Sequence, residues 1–271
     1  MNILITGSKG FIGRNLVQHF SKFKHNIKAI DLEDFYFQNW TENLSVILNI
    51  FEPDVIFHIG ACSDTLEKDV NYMMEVNYES TKIIVDWAKS KFKKVIYSSS
   101  AASYGVNQRY PSNLYGWSKY VGEQYVISNC GVALRYFNVY GPYEENKGKM
   151  SSIVYQAWKF KNENKEEFKL FPGKPTRDFV YVKDIISANI YAWENFESVS
   201  GKYYEVGYGE SRSFEDILSI LNITYIYRSE DEIPKGYQFY TCSDKKLWMM
   251  GWEPKYNLER GIKDYLNYLN P

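Results

Sequence analysis

Tyr115 and Lys119 lie four residues apart in the stretch "NLYGWSKYVGEQYV", whose apolar residues recur at helical spacing. Residues at i and i+4 share one helix face, so the pair is either two surface neighbours or a phenol with an ammonium beside it. The second arrangement has a chemical use: a nearby cation favours the phenolate, which accepts a proton near neutral pH. A tyrosine titrates near ~10, so reaching neutrality takes a shift of about 3 units, or roughly 4 kcal/mol. One ammonium at ~4 Å and an effective dielectric of ~20 supplies roughly that much. The choice depends on what the rest of the chain builds around this helix.

A second group of residues suits phosphate chemistry. "ILITGSKGFIG" places Gly7, Gly10 and Gly13 at G-x-x-G-x-x-G spacing between a predicted strand and a predicted helix. Such a turn lets backbone N–H groups approach a pyrophosphate, and the helix N-terminus adds roughly half a positive charge beneath it. Without a ligand, the same glycines would serve a tight packed turn. Asp31, followed by Leu32, ends the next predicted strand, where an acid can accept the hydrogen bonds of an adenine-ribose. No Lys or Arg occurs from Ala29 through Glu67, so a 2'-phosphate would meet a repulsive acid and no downstream cation. NAD is therefore favoured, while Arg14 at the start of the helix leaves NADP possible.

The elements that must hold these residues alternate as in a doubly wound α/β fold with a parallel sheet. "NILIT", "NIKAID", "DVIFHIG" and "KKVIYSSS" read as strands. "FIGRNLVQHFSKF" reads as a helix with Leu16, Val17, Phe20 and Phe23 inward, and "NYMMEVNYESTKIIVDWAKSK" as a long helix with Val76, Ile83, Ile84 and Trp87 inward. "VALRYFNVYGP" is expected to be one strand closed by a Gly-Pro turn. After Pro142 come a charged loop, a helix near "SSIVYQAWKF" and a short strand "FKLFPG". "RDFVYVKDIISANIYAWENF" and "KYYEVGYG" are expected to return to the main sheet as strand, helix and strand, before a closing helix "NLERGIKDYLNYL". The expected division is a large domain at 1–141, rejoined by elements at about 178–207, and a smaller α/β lobe from about 142–177 and 208–271.

The 271 residues carry 32 Lys+Arg against 33 Asp+Glu, a formal charge of -1 without a basic stripe, which argues against nucleic acid as a partner. No apolar run approaches the ~20 residues that cross a bilayer, and Met1 leads straight into "NILITG", so no membrane and a cytoplasmic location are expected. Cys62, Cys130 and Cys242 are odd in number and widely spaced, which indicates neither a disulfide framework nor a metal site. His58 ends an apolar strand with no acid at motif spacing and reads as structural.

"TGSKGFIG", "YSSSAASYG", "YGWSK" and "LRYFNVYGP" together resemble the extended short-chain dehydrogenase/reductase family of nucleotide-sugar enzymes. Within it, "GACSDTLEKDVNYMMEVNY", "RYFNVYGPYEENKGKM", "KLFPGKPTRDFVYV" and "KGYQFYT" are similar to the ADP-glycero-manno-heptose C6 epimerases. The resemblance implies a Rossmann domain for NAD, a substrate-binding second lobe and an isomerase acting on a nucleotide-sugar, in a homo-oligomer. It implies Ser100, Tyr115 and Lys119 as catalytic residues: Tyr115 taking a hydroxyl proton, Lys119 holding the nicotinamide ribose, and Ser100 donating to the developing carbonyl. Taken alone, Ser100 would be a strand-end cap. Lys147 in "EENKGKM" matches a second acid/base, beside a flexible Gly148; by itself the run would be a solvated charged face.

Carried over in the same way are cofactor contacts at Tyr115, Lys119, Phe11, Ile12, Gly60, Ala61, Cys62, Ser63, Val139 and Asn77, the last of which could fall instead on Val76. Substrate contacts carried over, besides Ser100 and Lys147, are Asn138, Phe171, Gly173, Arg177 and Tyr237. Arg177 suits a diphosphate bidentately, unless it pairs with Asp178 or another acid. The chain departs from these epimerases in shorter segments after Asp31 and between Tyr104 and Tyr115, and in Lys149 and Gln156 at pocket positions. The competing readings are a 4,6-dehydratase, which lacks its usual acid pair at Ala101 and Ala102, a C4 epimerase, a reductase, and an inactive dinucleotide-binding regulator.

Overall fold

The computed structural model describes residues 1–35, 40–106, 110–163, 167–234 and 237–270. Along the chain, β1 (Asn2–Thr6), α1 (Phe11–Phe20), β2 (Asn26–Ile30), α2 (Trp40–Phe51) and β3 (Val55–His58) alternate. Next come α3 (Val70–Met74), a single π-helical turn (Glu75–Glu79), α4 (Ser80–Ser90), β4 (Lys94–Ser100), α5 (Leu114–Ser128) and β5 (Val132–Tyr136). The second half holds β6 (Asn138–Tyr140), α6 (Ile153–Asn162), β7 (Phe168–Leu170), β8 (Thr176–Tyr181), α7 (Val182–Glu194) and α8 (Phe196–Val199). It continues through β9 (Lys202–Val206), β10 (Ser211–Ser213), α9 (Phe214–Ile220), β11 (Tyr225–Tyr227) and α10 (Leu258–Leu269).

The main sheet runs β2-β1-β3-β4-β5-β9 with every neighbouring pair parallel. Helices cover both faces, which is why its central strands are continuous apolar runs. Ile3, Ile5 and Phe57 point to the side of α1 and α7, where Leu16, Phe20, Ile185 and Ala188 pack. Leu4 and Ile56 point the other way, onto Leu44 and Leu48 of α2 and Ile84, Val85 and Ala88 of α4. Two small sheets, β10-β8-β6 and β11-β7, build the other side of the molecule. Among the described residues no helix is long and apolar enough to cross a membrane.

Four sequence expectations change. α1 stops at Phe20, so Phe23 lies in the turn beyond it, 52% exposed and against His19 instead of inside the core. The long helix over residues 70–90 is interrupted by the π-turn, which advances the inward face. Ile84 is buried as expected, but Val76, Ile83 and Trp87 are half-buried, and Met73, Asn77, Thr81, Val85 and Ala88 face in. "VALRYFNVY" is two strands: β5 ends in the main sheet at Tyr136, and from Asn138 the chain pairs with β8 in the small sheet. Its alternation continues across Phe137, so no residue type announces the change of sheet. Finally, β8 belongs to the small sheet, and of the two strands expected to return to the main one β9 alone does.

The carboxyl ends of β1, β3, β4 and β5 open on one edge, the place where doubly wound sheets bind ligands.

Candidate functional site

A crevice of about 1120 Å³ lies at that edge, between the main sheet and the small sheets. The catalytic, cofactor and substrate residues expected from the sequence line it except Asn77 and Gly173; of the two altered pocket positions Gln156 lines it and Lys149 does not.

The glycine loop forms its floor. Gly7 has φ +67, and a Cβ there would lie 2.6 Å from the Gly60 backbone; a Cβ on Gly13 would lie 1.9 Å from the Gly7 carbonyl oxygen. Gly10 caps α1 in an extended conformation with no side chain on the first N–H groups, which stay open to an anion. Because the atoms meeting Gly13 are backbone on both sides, Gly13→Ala forces the loop open. We expect dinucleotide affinity to fall at least about tenfold and stability by ~1–3 kcal/mol, read by fluorescence titration and thermal melting.

Asp31 accepts the Lys9 N–H at 2.9 Å, while the Lys9 ammonium pairs with Asp34 at 2.7 Å and Glu33 at 3.6 Å. Three carboxylates therefore gather at the end of β2, with Leu32 among the lining residues.

His58 is buried and joins two elements: Nδ1 lies 2.8 Å from Thr6 Oγ1, which accepts the Gly60 N–H, and Nε2 lies 2.9 Å from Thr81 Oγ1. Burial and the Lys119 charge push it down to about 3, so it stays neutral and structural, as its sequence setting suggested. Asn77 plays a similar part. Its side chain receives the Cys62 N–H at 2.7 Å, donates to the Cys62 carbonyl at 3.0 Å and to Ser118 at 2.8 Å, and is 1% exposed. The π-turn presents Asn77 beneath the Gly60–Ser63 loop and leaves Val76 on the crevice wall, so of the two candidates Val76 lines the crevice and Asn77 supports the loop behind it.

Asn113 caps α5 by accepting the Gly116 N–H at 2.8 Å. A Cβ on Gly116 would come within 2.6 Å of the Ala102 carbonyl, so α5 lies close against the turn that follows Ser100. Ser100 ends β4, accepts the Ala102 N–H at 3.1 Å and lies near enough to Tyr115 to favour its phenolate. The expected pairing of Tyr115 with Lys119 is different here. The Lys119 ammonium donates to Ser98 at 3.3 Å and sits 4.5 Å above the Tyr97 ring, and it is not among the groups acting on Tyr115. Burial raises Tyr115, against which Ser100 pulls down, and burial lowers Lys119 to about 7. Desolvation outweighs the single-ammonium argument because both groups are buried together.

Sequence reading missed the support behind α5. Glu123, one turn past Lys119, takes Arg135 Nε at 2.7 Å and NH2 at 2.5 Å, and the Ser99 hydroxyl at 2.7 Å. Arg135 lies between the Tyr104 and Tyr203 rings, at 4.4 and 3.7 Å. A buried pair of this kind fixes geometry more than it stabilises. A charged residue inside the apolar β5 run was the available signal.

Opposite, Lys147 is half-buried, 5.5 Å from the Phe11 ring, next to Gly148 at φ +54. Burial lowers its ammonium and Glu144 opposes that. Arg177 donates to the carbonyls of Thr176 and Gln238. Asp178 instead accepts the N–H groups of Tyr208, Gly209 and Ser243, so Arg177 has no carboxylate partner among the described residues. Phe171 and Tyr237 meet edge to face at 5.2 Å beside it, and Asn138 accepts from Thr241 at 3.4 Å. Gly173, at φ +90, lies against the Phe239 ring, and neither residue is part of the lining. Arg228, not anticipated, lines the crevice over the Phe171 ring at 5.3 Å and pairs with Glu232 at 3.3 Å.

Residues 3–207 match the NAD dependent epimerase/dehydratase family. The chain is 33% identical to an ADP-L-glycero-D-manno-heptose-6-epimerase of Brachyspira hyodysenteriae, over 98% of this chain and 97% of that one. The crystal structure of the Helicobacter pylori ADP-L-glycero-D-manno-heptose-6-epimerase is similar at a TM-score of 0.83 and 33% identity, covering 99% of this chain and 96% of that one. A UDP-glucose 4-epimerase from Thermotoga maritima, solved with UDP-glucose, superposes at 0.86 with 25% identity, over 99% and 98%.

Proposed function

The chain belongs to the NAD dependent epimerase/dehydratase family, and from that premise we propose that it inverts C6 of an ADP-glycero-manno-heptose by oxidising that carbon transiently and reducing it again. The observation that carries the reading is that Tyr115 on α5 and Lys147 on the loop before α6 line one crevice. Two proton-handling groups from separate elements suit a reaction that works on both faces of one carbon. Similarity to a heptose epimerase along nearly the whole chain narrows the substrate.

The residues fit the family's cofactor: the glycine floor leaves no room for side chains, and the open N-terminus of α1 faces the crevice. Gly7, Gly10, Phe11, Ile12 and Gly13 would hold its pyrophosphate, Asp31 its adenine-ribose and Lys119 its nicotinamide ribose. When bound there, NAD would supply the hydride acceptor for oxidation of the sugar carbon and, in its reduced form, the hydride donor for the return step. Tyr115 accepts the proton of the C6 hydroxyl while Ser100 donates to the oxygen as it becomes a carbonyl. Once the sugar has turned, the Lys147 ammonium gives a proton of its own to that oxygen on the other face, and before the next turnover Tyr115 releases a proton to solvent and Lys147 takes one up. Arg177 and Tyr237 grip the diphosphate end, which lets the sugar turn without leaving.

Proton NMR of the product tests this. Inversion confined to C6 is the expected result, and inversion at C4 contradicts it. The acidic group at Asp31, Glu33 and Asp34 sets a further expectation: NADP should bind at least about tenfold more weakly than NAD, and Asp31→Ala should narrow the gap, by calorimetric titration. The same reading makes the protein a cytoplasmic homo-oligomer, whose mass light scattering would give.

A further inference from the structure

The Lys147 loop leaves β6 at Gly141 and ends at Ser152, the N-cap of α6. Glu144 is its first acid, and although it stands in a run of polar residues it is completely buried. Its carboxylate accepts the Gly141 N–H at 3.1 Å, the Ser152 N–H at 2.5 Å and the Ser152 hydroxyl at 2.8 Å. One side chain thus closes both ends of the loop. Inside it, the Lys147 N–H donates to the Glu144 carbonyl at 3.0 Å, and Ser151 donates twice to the Gly148 carbonyl. Among the described residues no Lys, Arg or His comes within ion-pair distance of the Glu144 carboxylate, and Lys147 is the cation that acts on it. The other titratable groups facing the acid are Tyr155 on α6 and Tyr265 on α10, on both of which the neighbouring Glu145 also acts; the Phe11 ring from α1 faces the ammonium.

A buried carboxylate with three donors and no adjacent cation is costly unless it organises something. We propose that Glu144 is a positioning residue that clasps this loop, holds the Lys147 ammonium over the crevice and supplies its countercharge. The inference rests on the reading of Lys147 given above.

The test uses the full chain with NAD, lysines labelled with carbon-13 at Cε, and the Lys147 resonance assigned by its loss in Lys147→Arg. In Glu144→Gln the Lys147 titration midpoint is expected to fall by about one pH unit, since a neighbouring negative charge has gone. kcat for C6 inversion should fall about tenfold or more through misplacement, with KM and the NAD dissociation constant changing less than about threefold. An unmoved midpoint overturns the proposal, as does a loss in which KM and NAD affinity move along with kcat, because that marks a general structural role. Glu144→Asp keeps the buried charge but is too short to reach both loop ends. If the glutamine variant does not fold, the aspartate variant decides: reduced kcat at unchanged NAD affinity supports the clasp, and full kcat overturns it. If the wild-type protein inverts no C6 centre, the functional reading fails on its own, while the titration midpoint still decides the role of Glu144.

Discussion

Tyr115→Phe is expected to lower kcat for C6 inversion about 10³-fold, with the NAD dissociation constant changed less than about threefold. General base catalysis by a placed side chain contributes roughly 10²–10⁴, and a serine hydroxyl such as that of Ser100 is too weak a base to substitute for the phenol. The binding half of the prediction follows from position. Tyr115 stands on α5, a different element from the glycine floor and the α1 N-terminus, and removing one oxygen leaves those two unaffected. Because burial raises Tyr115 and Lys119 is turned to Ser98, the protein alone keeps the phenol protonated at neutral pH. On the proposed reading, the bound dinucleotide would have to supply the positive charge that lowers the phenol again. Turnover equal to wild type would remove Tyr115 from the chemistry and return the chain to a dinucleotide-binding role.

Lys147→Met should slow inversion about 10²-fold starting from either C6 epimer. The equilibrium between the epimers is a property of the sugars, so loss of a group needed on one face must slow both directions alike. Methionine fills the volume of the lysine stem and leaves the Glu144 clasp with its three donors, so the loop keeps its course. Product NMR from each epimer reads the rates. Undiminished inversion in both would make Lys147 one more charge on a solvated loop.

The features legible in the sequence are those set by local spacing. A strand-glycines-helix run needs only its own residues to make a phosphate turn, and the i, i+4 placement of Tyr115 and Lys119 on α5 needs only a helix. What was not legible depends on residues far apart in the chain. Lys119 points to Ser98 because β4 passes beneath α5, and no helical spacing encodes that. The π-turn that swaps Val76 for Asn77 on the crevice wall is a one-residue slip, invisible to a 3.6-residue period. Glu144 reads as a solvated acid in "YEENKGK" because its burial comes from Ser152, Gly141 and Tyr265, the last on α10. Likewise, "VALRYFNVY" is a seamless alternation, yet two sheets share it.

The central claim is that hydride leaves one sugar carbon and comes back to that carbon on its opposite face. Substrate carrying deuterium at C6, turned over to equilibrium in ordinary water, tests it by NMR and mass spectrometry. Full retention of deuterium at the inverted C6 is the predicted result. Replacement of that deuterium by solvent hydrogen would mean that a proton is lost instead of a hydride, and would contradict the account.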